Sequence, residues 1–414
     1  MLDGSRFVQI RGRGGVGKSS VLLTVARRVA TDAHILVLDP INTPEGGWSA
    51  LAAQLNISVT AREFLADLAA SGGGTLFIDS LEMFVSPGKR RTVNDLLREI
   101  ATTVGFSVVA TAREEFGTDG DDWLAADAVA SLGEPGIVAV PELQEDEVEI
   151  LRRQAPELDA LLAPDHPASG LARNLYRLSR LFKTSAAASI RTEAALADSW
   201  WRSGDDIAAE HLRAAQRLMA DLADAVISGG DTIEAREDSY ARSHLLRAKT
   251  LTEGRRDRLG FYHDALRDWA VGARLAEDPD LVTKFDLTAP ASSRVARGVE
   301  FAGRFALEAS SDCSKWPTLI QSLSPVGAHG SWRRNARLAI LRSEVSLELL
   351  ERCTAALLDD DGILLSELIT AVIAVETTSP ADVVKDVPSD QLKGVSIPKS
   401  LRLATTRSAA RLLK

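Results

Sequence analysis

Eight consecutive residues near the start of the chain have the types and the spacing of a phosphate-binding loop. Residues 12–19 read GRGGVGKS and match the pattern G-x-x-x-x-G-K-[ST] in full. Glycines expose backbone N–H groups that can surround phosphate oxygens, and a helix that starts near Lys18 would point its positive dipole end at the same anion. The residues predicted to bind nucleotide phosphates are Gly12, Gly14, Gly15, Val16, Gly17, Lys18, Ser19 and Ser20.

A magnesium site is predicted where this loop meets a second motif, TLFIDSLE at residues 75–82. Lys18 is expected to reach the β- and γ-phosphates, and the Ser19 hydroxyl to coordinate Mg²⁺. Asp79 ends an apolar strand, and ligands bind at this edge of open α/β sheets, so Asp79 is predicted to hold the same ion. Glu82 is predicted to activate the attacking water; the alternative is a solvated surface carboxylate.

A candidate sensor of the γ-phosphate follows in FSVVATAR, residues 106–113. This segment is an apolar strand that ends in Thr111 and Arg113. A polar or basic residue at the end of a strand beside the loop strand can contact the γ-phosphate, and Arg113 is the candidate. The alternative is an exposed loop arginine. The predicted catalytic set is Lys18, Asp79, Glu82 and Arg113.

Short apolar segments alternate with amphipathic helical segments up to about residue 140. Each apolar segment is typical of a strand buried on both faces of a parallel sheet, and the alternation indicates an α/β domain with crossover helices. One helix is predicted to open at Thr92, with Asp95 in capping-box spacing. The order of motifs is that of the P-loop class with an additional strand, in which the sensor strand lies beside the loop strand. The predicted strands are residues 6–10, 34–39, 75–79, 106–110 and 136–140.

Beyond Pro141 the strand pattern gives way to helices, and the sequence predicts a multidomain chain. A helix, a hairpin with a charged turn and a closing helix are typical of a winged helix, and the later helices resemble paired HEAT-type helices. Because the chain begins close to the first strand and ends within a helical pattern, we expect a piece of a longer protein. The predicted regions are a P-loop NTPase domain at 1–142, a helical lid at 143–200, a winged-helix domain at 201–276 and a helical HEAT-like region at 277–414.

Composition restricts the classes of partner. The 414 residues carry a net charge of −10, and an acidic chain is a poor general binder of nucleic acid or of anionic membranes. No apolar run approaches the roughly 18 residues of a membrane helix, and the N-terminus lacks the apolar core of a signal peptide. Cys313 and Cys353 lack metal-ligand spacing and are expected to be buried free thiols. These features predict a cytoplasmic protein.

Four segments together resemble the STAND family of signal-transducing ATPases, which includes the NB-ARC and NACHT proteins. They are the loop at residues 12–19, LFIDSLE, VVATAR, and FYHDALRDW at residues 261–269. The resemblance covers roughly residues 6–275. It implies that His263 contacts the β-phosphate of bound ADP and holds the protein closed. The chain departs from the family in ARNLYRL, where Leu175 stands in place of the proline that contacts adenine.

The resemblance implies a nucleotide-controlled switch. ATP, ADP and Mg²⁺ are the expected cofactors, and adenine is favoured because the guanine-specifying pattern N-K-x-D is missing from the sequence. Exchange of ADP for ATP would permit homo-oligomerisation, and slow hydrolysis would reset the switch. The resemblance implies a role in bacterial defence or regulation. The sequence does not identify the trigger or the effector protein.

Two alternatives to the switch stay open. One is a nucleotide-binding scaffold without turnover, against which Asp79 and Glu82 argue. The other is an AAA-type ATPase that acts on nucleic acid through its winged helix, as initiators and loaders do. The basic residues that favour it are Arg242, Arg247, Lys249, Arg255, Arg256 and Arg258.

Overall fold

The computed structural model describes residues 5–114, 123–184, 187–234, 239–254, 257–309, 313–380 and 403–412. The chain divides into two compact units. The first unit comprises Met1–Ala188 and Thr252–Gly260, and the second comprises Ser189–Leu251 and Phe261–Lys414. Within the described ranges, no helix combines the length and the apolar character needed to cross a membrane.

The first unit is built on a parallel five-stranded sheet of order β2-β3-β4-β1-β5. All residues of β3 are buried, as its apolar sequence requires. Strand β4 lies between the loop strand β1 and the acidic strand β3, which confirms the predicted additional-strand order. The strands are β1 (Phe7–Arg11), β2 (His34–Leu38), β3 (Gly74–Ile78), β4 (Phe106–Ala112) and β5 (Gly136–Ala139).

Helices connect these strands and continue after β5. Apolar side chains of the helices pack with Phe7, Leu76 and Phe106 of the sheet into one buried cluster, which fixes the positions of the strand ends. The helices are α1 (Lys18–Val29), α2 (Trp48–Leu55), α3 (Ala61–Ala70), α4 (Pro87–Thr102), α5 (Ala126–Leu132), α6 (Glu145–Gln154), α7 (Asp159–Leu162), α8 (Ser169–Ala172) and α9 (Leu175–Lys183).

The predicted start of α4 at Thr92 is wrong. The helix begins at Pro87, where a missing N–H is harmless. Thr92 and Asp95 lie inside α4 and accept hydrogen bonds from the backbone N–H groups of Gly47 and Trp48, at 3.0 and 3.1 Å. The polar residues taken for a cap of their own helix therefore cap the start of α2 instead.

The second unit is mainly helical. Two long helices, α13 and α14, pack with so little space that glycines are required: a Cβ at Gly298 would lie 2.4 Å from Val271 Cγ1, and one at Gly272 would lie 2.5 Å from Phe301 Cβ. The helices are α10 (Glu193–Ser203), α11 (Ala209–Ile227), α12 (Tyr240–Arg247), α13 (Asp264–Glu277), α14 (Ser293–Glu308), α15 (Lys315–Ser322), α16 (Gly330–Arg342), α17 (Ser346–Arg352), α18 (Thr354–Leu358), α19 (Ile363–Val375) and α20 (Arg407–Leu412).

Two small sheets complete the described elements. Strands β6 (Ile233–Glu234), β7 (Leu251–Glu253) and β8 (Arg258–Phe261) form a sheet of order β6-β8-β7, and β9 (Thr377–Thr378) pairs with β10 (Leu403–Ala404). The order of helix, paired strands and closing helix agrees with the elements expected around residues 240–277.

Cys313 and Cys353 form a disulfide, so the expectation of free thiols is wrong. Their Cα atoms are 5.9 Å apart although 40 residues separate them in the sequence, a separation suited to a bridge. Both residues lie in the apolar core of the second unit. Sequence spacing could not reveal the pair, because it results from the packing of the segments before α15 and after α17.

A buried ionic cluster surrounds Glu300 on α14. Its carboxylate lies 2.8 Å from Arg342, 3.1 Å from Arg304 and 3.7 Å from Arg297. Burial raises the pKa of the Glu300 carboxyl, but Arg297, Arg342 and Arg304 together outweigh burial and lower that pKa from 4.5 to about 2. Arg342 also binds Glu376 at 2.8 Å, so the cluster joins α14 to α16 and to the end of α19.

Glu300→Gln should destabilise the second unit, because three arginines would lose their shared buried anion; we expect a loss of about 3 kcal/mol. A lowered pKa means that Glu300 stabilises the fold above pH 4.5 and that this contribution disappears as the pH falls toward 2. Urea unfolding followed by tryptophan fluorescence at several pH values measures both effects, since five of the seven tryptophans belong to the second unit.

The exposed Glu210 on α11 provides the matched control. Glu210→Gln should keep the wild-type acid dependence, whereas Glu300→Gln should lose stability less steeply between pH 4.5 and pH 3. Equal acid dependence in Glu300→Gln and in the wild type would contradict the assignment.

Candidate functional site

The loop between β1 and α1 has a backbone shape that glycine alone accommodates. Gly15 and Gly17 have φ angles of +83° and +102°, in the region that side chains with a Cβ rarely adopt. A Cβ at Gly12 would lie 2.3 Å from the carbonyl oxygen of Val140, just beyond β5. The glycine spacing recognised in the sequence therefore corresponds to two positions with positive φ and one close approach to the backbone just beyond β5.

Lys18 lies folded over the loop at the first position of α1. Its Nζ donates hydrogen bonds to the carbonyl oxygens of Gly12 and Arg13, both at 2.9 Å, and the residue is only 7% exposed. The first turn of α1 contains no acidic residue, so nothing in that turn neutralises the positive end of the helix dipole. The loop thus presents a cation and a helix N-terminus at one place, as an anion site requires.

The structure brings the two predicted magnesium ligands into contact. The Ser19 hydroxyl donates to Asp79 Oδ1 at 2.8 Å, and the Thr111 hydroxyl donates to the same oxygen at 2.6 Å. Thr111 Oγ1 in turn accepts from the backbone N–H of Ser80 at 2.6 Å. Hydroxyl and carboxylate oxygens suit Mg²⁺, which commonly takes one or two protein ligands and completes its shell with water and phosphate oxygens. Ser19 and Asp79 therefore fit the ion, and Thr111 orients the carboxylate.

Glu82 and Arg113 pair with each other. The backbone N–H of Arg113 donates to Glu82 Oε2 at 3.2 Å, and Arg113 Nε lies 3.8 Å from Glu82 Oε1. The Glu82 side chain is 6% exposed and the Arg113 side chain 12%. The two structural alternatives, a solvated surface carboxylate and an exposed loop arginine, are therefore wrong.

A contact that the sequence did not indicate joins the loop to α9. The Asn174 side chain is fully buried and donates through Nδ2 to the carbonyl of Gly14 at 2.9 Å. The backbone N–H of Tyr176 donates to the carbonyl of Gly15 at 3.0 Å. Leu175, whose position the sequence resemblance aligns with a proline, lies beside Gly17. An asparagine before an apolar helical run is a signal for a helix cap, but it carries no information about this loop contact.

His263 belongs to the second unit, whereas the other predicted site residues belong to the first. It caps α13: its Nδ1 accepts from the backbone N–H of Ala265 at 3.1 Å. Asp264 Oδ1 lies 2.8 Å from the same ring nitrogen. The His263 side chain is 26% exposed, so the ring is partly accessible. The proposed contact with ADP stays a prediction.

The basic residues of the alternative hypothesis are only partly described. Arg247 is exposed at the last position of α12, Lys249 is exposed just after that helix, and Arg258 is exposed at the start of β8. Arg255 and Arg256 lie outside the described residues.

Comparison with known proteins gave matches among solved structures only; neither a family model nor a curated protein matches the chain. A Walker-type ATPase of Pyrococcus abyssi is 14% identical, with a TM-score of 0.33, covering 65% of this chain and 92% of that one. The ORC2 protein of Aeropyrum pernix, in complexes with ADPNP and ADP, is 15% identical, with a TM-score of 0.34 and coverages of 67% and 90%. AMPPCP-bound DnaA from Aquifex aeolicus is 11% identical, with a TM-score of 0.29 and coverages of 68% and 79%.

The class of the first unit follows from the geometry of the chain itself. A glycine-rich loop joins β1 to α1, an aspartate follows β3, and β4 separates the two strands. These features define a P-loop NTPase fold of the additional-strand type, followed by a helical C-terminal region.

Thr111→Val should weaken Mg²⁺-dependent binding of ATP, because valine keeps the shape of the side chain but removes the hydroxyl that orients Asp79. A hydrogen bond to a charged group contributes about 1.5–3 kcal/mol, so we expect a loss of about tenfold or more. Calorimetric titration with ATP, with and without Mg²⁺, measures it. Thr75→Val is the control, since that hydroxyl bonds Ser107 in the neighbouring strand; equal Mg²⁺–ATP affinities of the two variants would refute the role of Thr111.

Proposed function

We propose that this protein is an ATP- and ADP-binding ATPase that acts as a nucleotide-controlled switch. One observation carries the proposal: Lys18, the Ser19–Asp79 pair and the positive-φ glycine loop lie together at the carboxyl edge of one parallel sheet. A cation, a helix N-terminus and a metal-binding oxygen pair at one edge are the parts that bind a nucleoside triphosphate with its magnesium ion.

Each side chain has a distinct task in this proposal. Lys18 would exchange its two carbonyl contacts for phosphate oxygens, since its Nζ already lies against the backbone of the loop. Ser19 and Asp79 would hold Mg²⁺, which supplies charge neutralisation between the phosphates when bound. Glu82 would accept a proton from the attacking water, and Arg113 would sense the γ-phosphate.

The pairing of Glu82 with Arg113 supports slow hydrolysis. A general base must lie within hydrogen-bond reach of the water that it activates, and in this arrangement the Glu82 carboxylate is buried against Arg113. The carboxylate can act only after it separates from the arginine. Contact of Arg113 with the γ-phosphate would release Glu82, so the pair would respond to the presence of ATP.

The switch interpretation depends on the segment from β6 to α13 and on the helices that follow it. A three-stranded sheet followed by α13 has the order expected of a winged helix, and His263 caps that helix. The proposal assigns His263 to the β-phosphate of ADP and the HEAT-like helices to the sensing of a trigger. ATP would then favour an arrangement that assembles into homo-oligomers, because a ligand shifts an equilibrium toward the state that it binds better.

The second candidate function is an ATPase that acts on nucleic acid through the same winged helix. The exposed Arg247, Lys249 and Arg258 near its short strands favour it, and the net charge of −10 opposes it. Binding of duplex DNA that weakens steeply with salt would favour this candidate over the switch.

Lys18→Ala should abolish nucleotide binding, because the loop loses its cation and its contact with the phosphates. Isothermal titration with ATP and ADP measures the affinity. Lys183→Ala, at the exposed end of α9, is the control and should bind as the wild type does. An unchanged ATP affinity in Lys18→Ala would exclude the loop as the phosphate site.

His263→Asn tests the clamp without removing the helix cap, because asparagine is a preferred N-cap residue. We expect at least tenfold weaker ADP binding and assembly at lower ATP concentration, measured by calorimetry and by light scattering. His263→Ala should show the same changes with lower thermal stability. Wild-type ADP affinity and wild-type assembly in His263→Asn would limit the residue to a capping role.

A further inference from the structure

The start of α9 is hydrogen-bonded to two successive carbonyl groups of the phosphate loop. Asn174 Nδ2 donates to the carbonyl of Gly14 at 2.9 Å, and the backbone N–H of Tyr176 donates to the carbonyl of Gly15 at 3.0 Å. Both partners belong to the first unit. Two adjacent peptide groups of the loop are therefore fixed from outside the loop by one helix start.

Fixing these carbonyls also fixes the N–H groups of the loop. In a trans peptide the C=O and the N–H point in opposite directions. A Gly14 carbonyl held toward Asn174 therefore turns the N–H of Gly15 away from α9, and the Gly15 carbonyl does the same for the N–H of Val16. These N–H groups, which face away from α9, can donate hydrogen bonds to phosphate oxygens.

Both polar atoms of the Asn174 amide are hydrogen-bonded, which fixes its orientation. Its Oδ1 accepts from the backbone N–H of Arg177 at 3.3 Å and caps α9, while Nδ2 holds Gly14. A Cβ at Gly15 would lie 2.5 Å from Asn174 Oδ1 and 2.8 Å from Tyr176 Cβ. The loop and the helix start are thus in direct contact, and a displacement of one must displace the other.

We propose that Asn174 is a positioning residue that organises the phosphate cradle through the Gly14 carbonyl and couples α9 to nucleotide occupancy. The inference rests on the proposed function, because it presupposes that the loop binds nucleotide. Coupling of this kind is reciprocal: an anchored α9 favours the donor geometry of the loop, and a bound nucleotide stabilises the attachment of α9.

Two variants separate the loop contact from the helix cap. Asn174→Asp keeps a good capping oxygen for Arg177 but places a second oxygen against the Gly14 carbonyl. Asn174→Ser also caps the helix, adds no charge and is too short to reach Gly14 in the same way. Because both retain the cap, α9 should form in both. Asn174→Asp also buries a charge at a fully buried position, so its thermal midpoint should fall, whereas that of Asn174→Ser should stay closer to the wild-type value.

We expect both variants to bind ADP at least tenfold more weakly in calorimetric titrations. In hydrogen exchange, ADP should slow the amides of α9 in the wild type and leave them unchanged in the variants. Thr60→Ala is the matched control: it removes the cap of α3, so it should lower the thermal midpoint while keeping the wild-type ADP affinity and the protection of α9.

The results distinguish this inference from the proposed function. If the wild type binds no nucleotide, the proposed function itself fails. Lys18→Ala, which should bind none, gives the baseline for that comparison. If the wild type binds ADP and both Asn174 variants bind it equally well with the same protection of α9, the positioning role is wrong. Weak binding by Asn174→Asp alone would assign the effect to the added charge and would also overturn the inference.

Discussion

The two hydrogen bonds that Ser19 and Thr111 donate to one oxygen of Asp79 are the interaction on which the rest of the site depends. Ser19 follows β1, Asp79 follows β3 and Thr111 lies in β4, so the contact requires β4 to pair with both other strands, as it does. The carboxyl ends of parallel strands share one edge of the sheet. The buried side chains that hold the strands in register therefore also set the distance from hydroxyl to carboxylate.

The same register explains why Glu82 and Arg113 meet. Glu82 lies four residues beyond the end of β3, Arg113 directly follows β4, and these strands are neighbours. Burial makes their ion pair more consequential than a surface pair, because separation would leave two desolvated charges without partners. In the proposed function an arriving γ-phosphate would compensate Arg113, so the release of Glu82 and the arrival of substrate would be linked by charge balance.

The sequence predicts features whose cause is local. The glycines of the loop are set by its own φ angles, and the strand order follows from motifs that end successive apolar segments. Features that result from packing between distant segments are either not predicted from the sequence or predicted wrongly. Thr92 caps α2 rather than its own helix, Cys313 pairs with Cys353, and Asn174 holds Gly14, which lies 160 residues away. A side chain's type predicts that it will form a hydrogen bond, but the fold selects the partner.

The contacts of α9 also limit which difference between nucleotides could affect this helix. Asn174 holds backbone that would surround phosphates common to ATP and ADP, so under the proposed coupling this contact would respond to occupancy and not to the third phosphate. A ligand shifts a conformational equilibrium only through a difference in its contacts between states. In the proposed function, discrimination between ATP and ADP must therefore come from the groups assigned to the γ-phosphate, namely Lys18 and the Glu82–Arg113 pair, or from a group specific for ADP such as the one proposed at His263. The phosphate loop and α9, which is hydrogen-bonded to it, would then form the part of the switch that stays the same with ATP and with ADP.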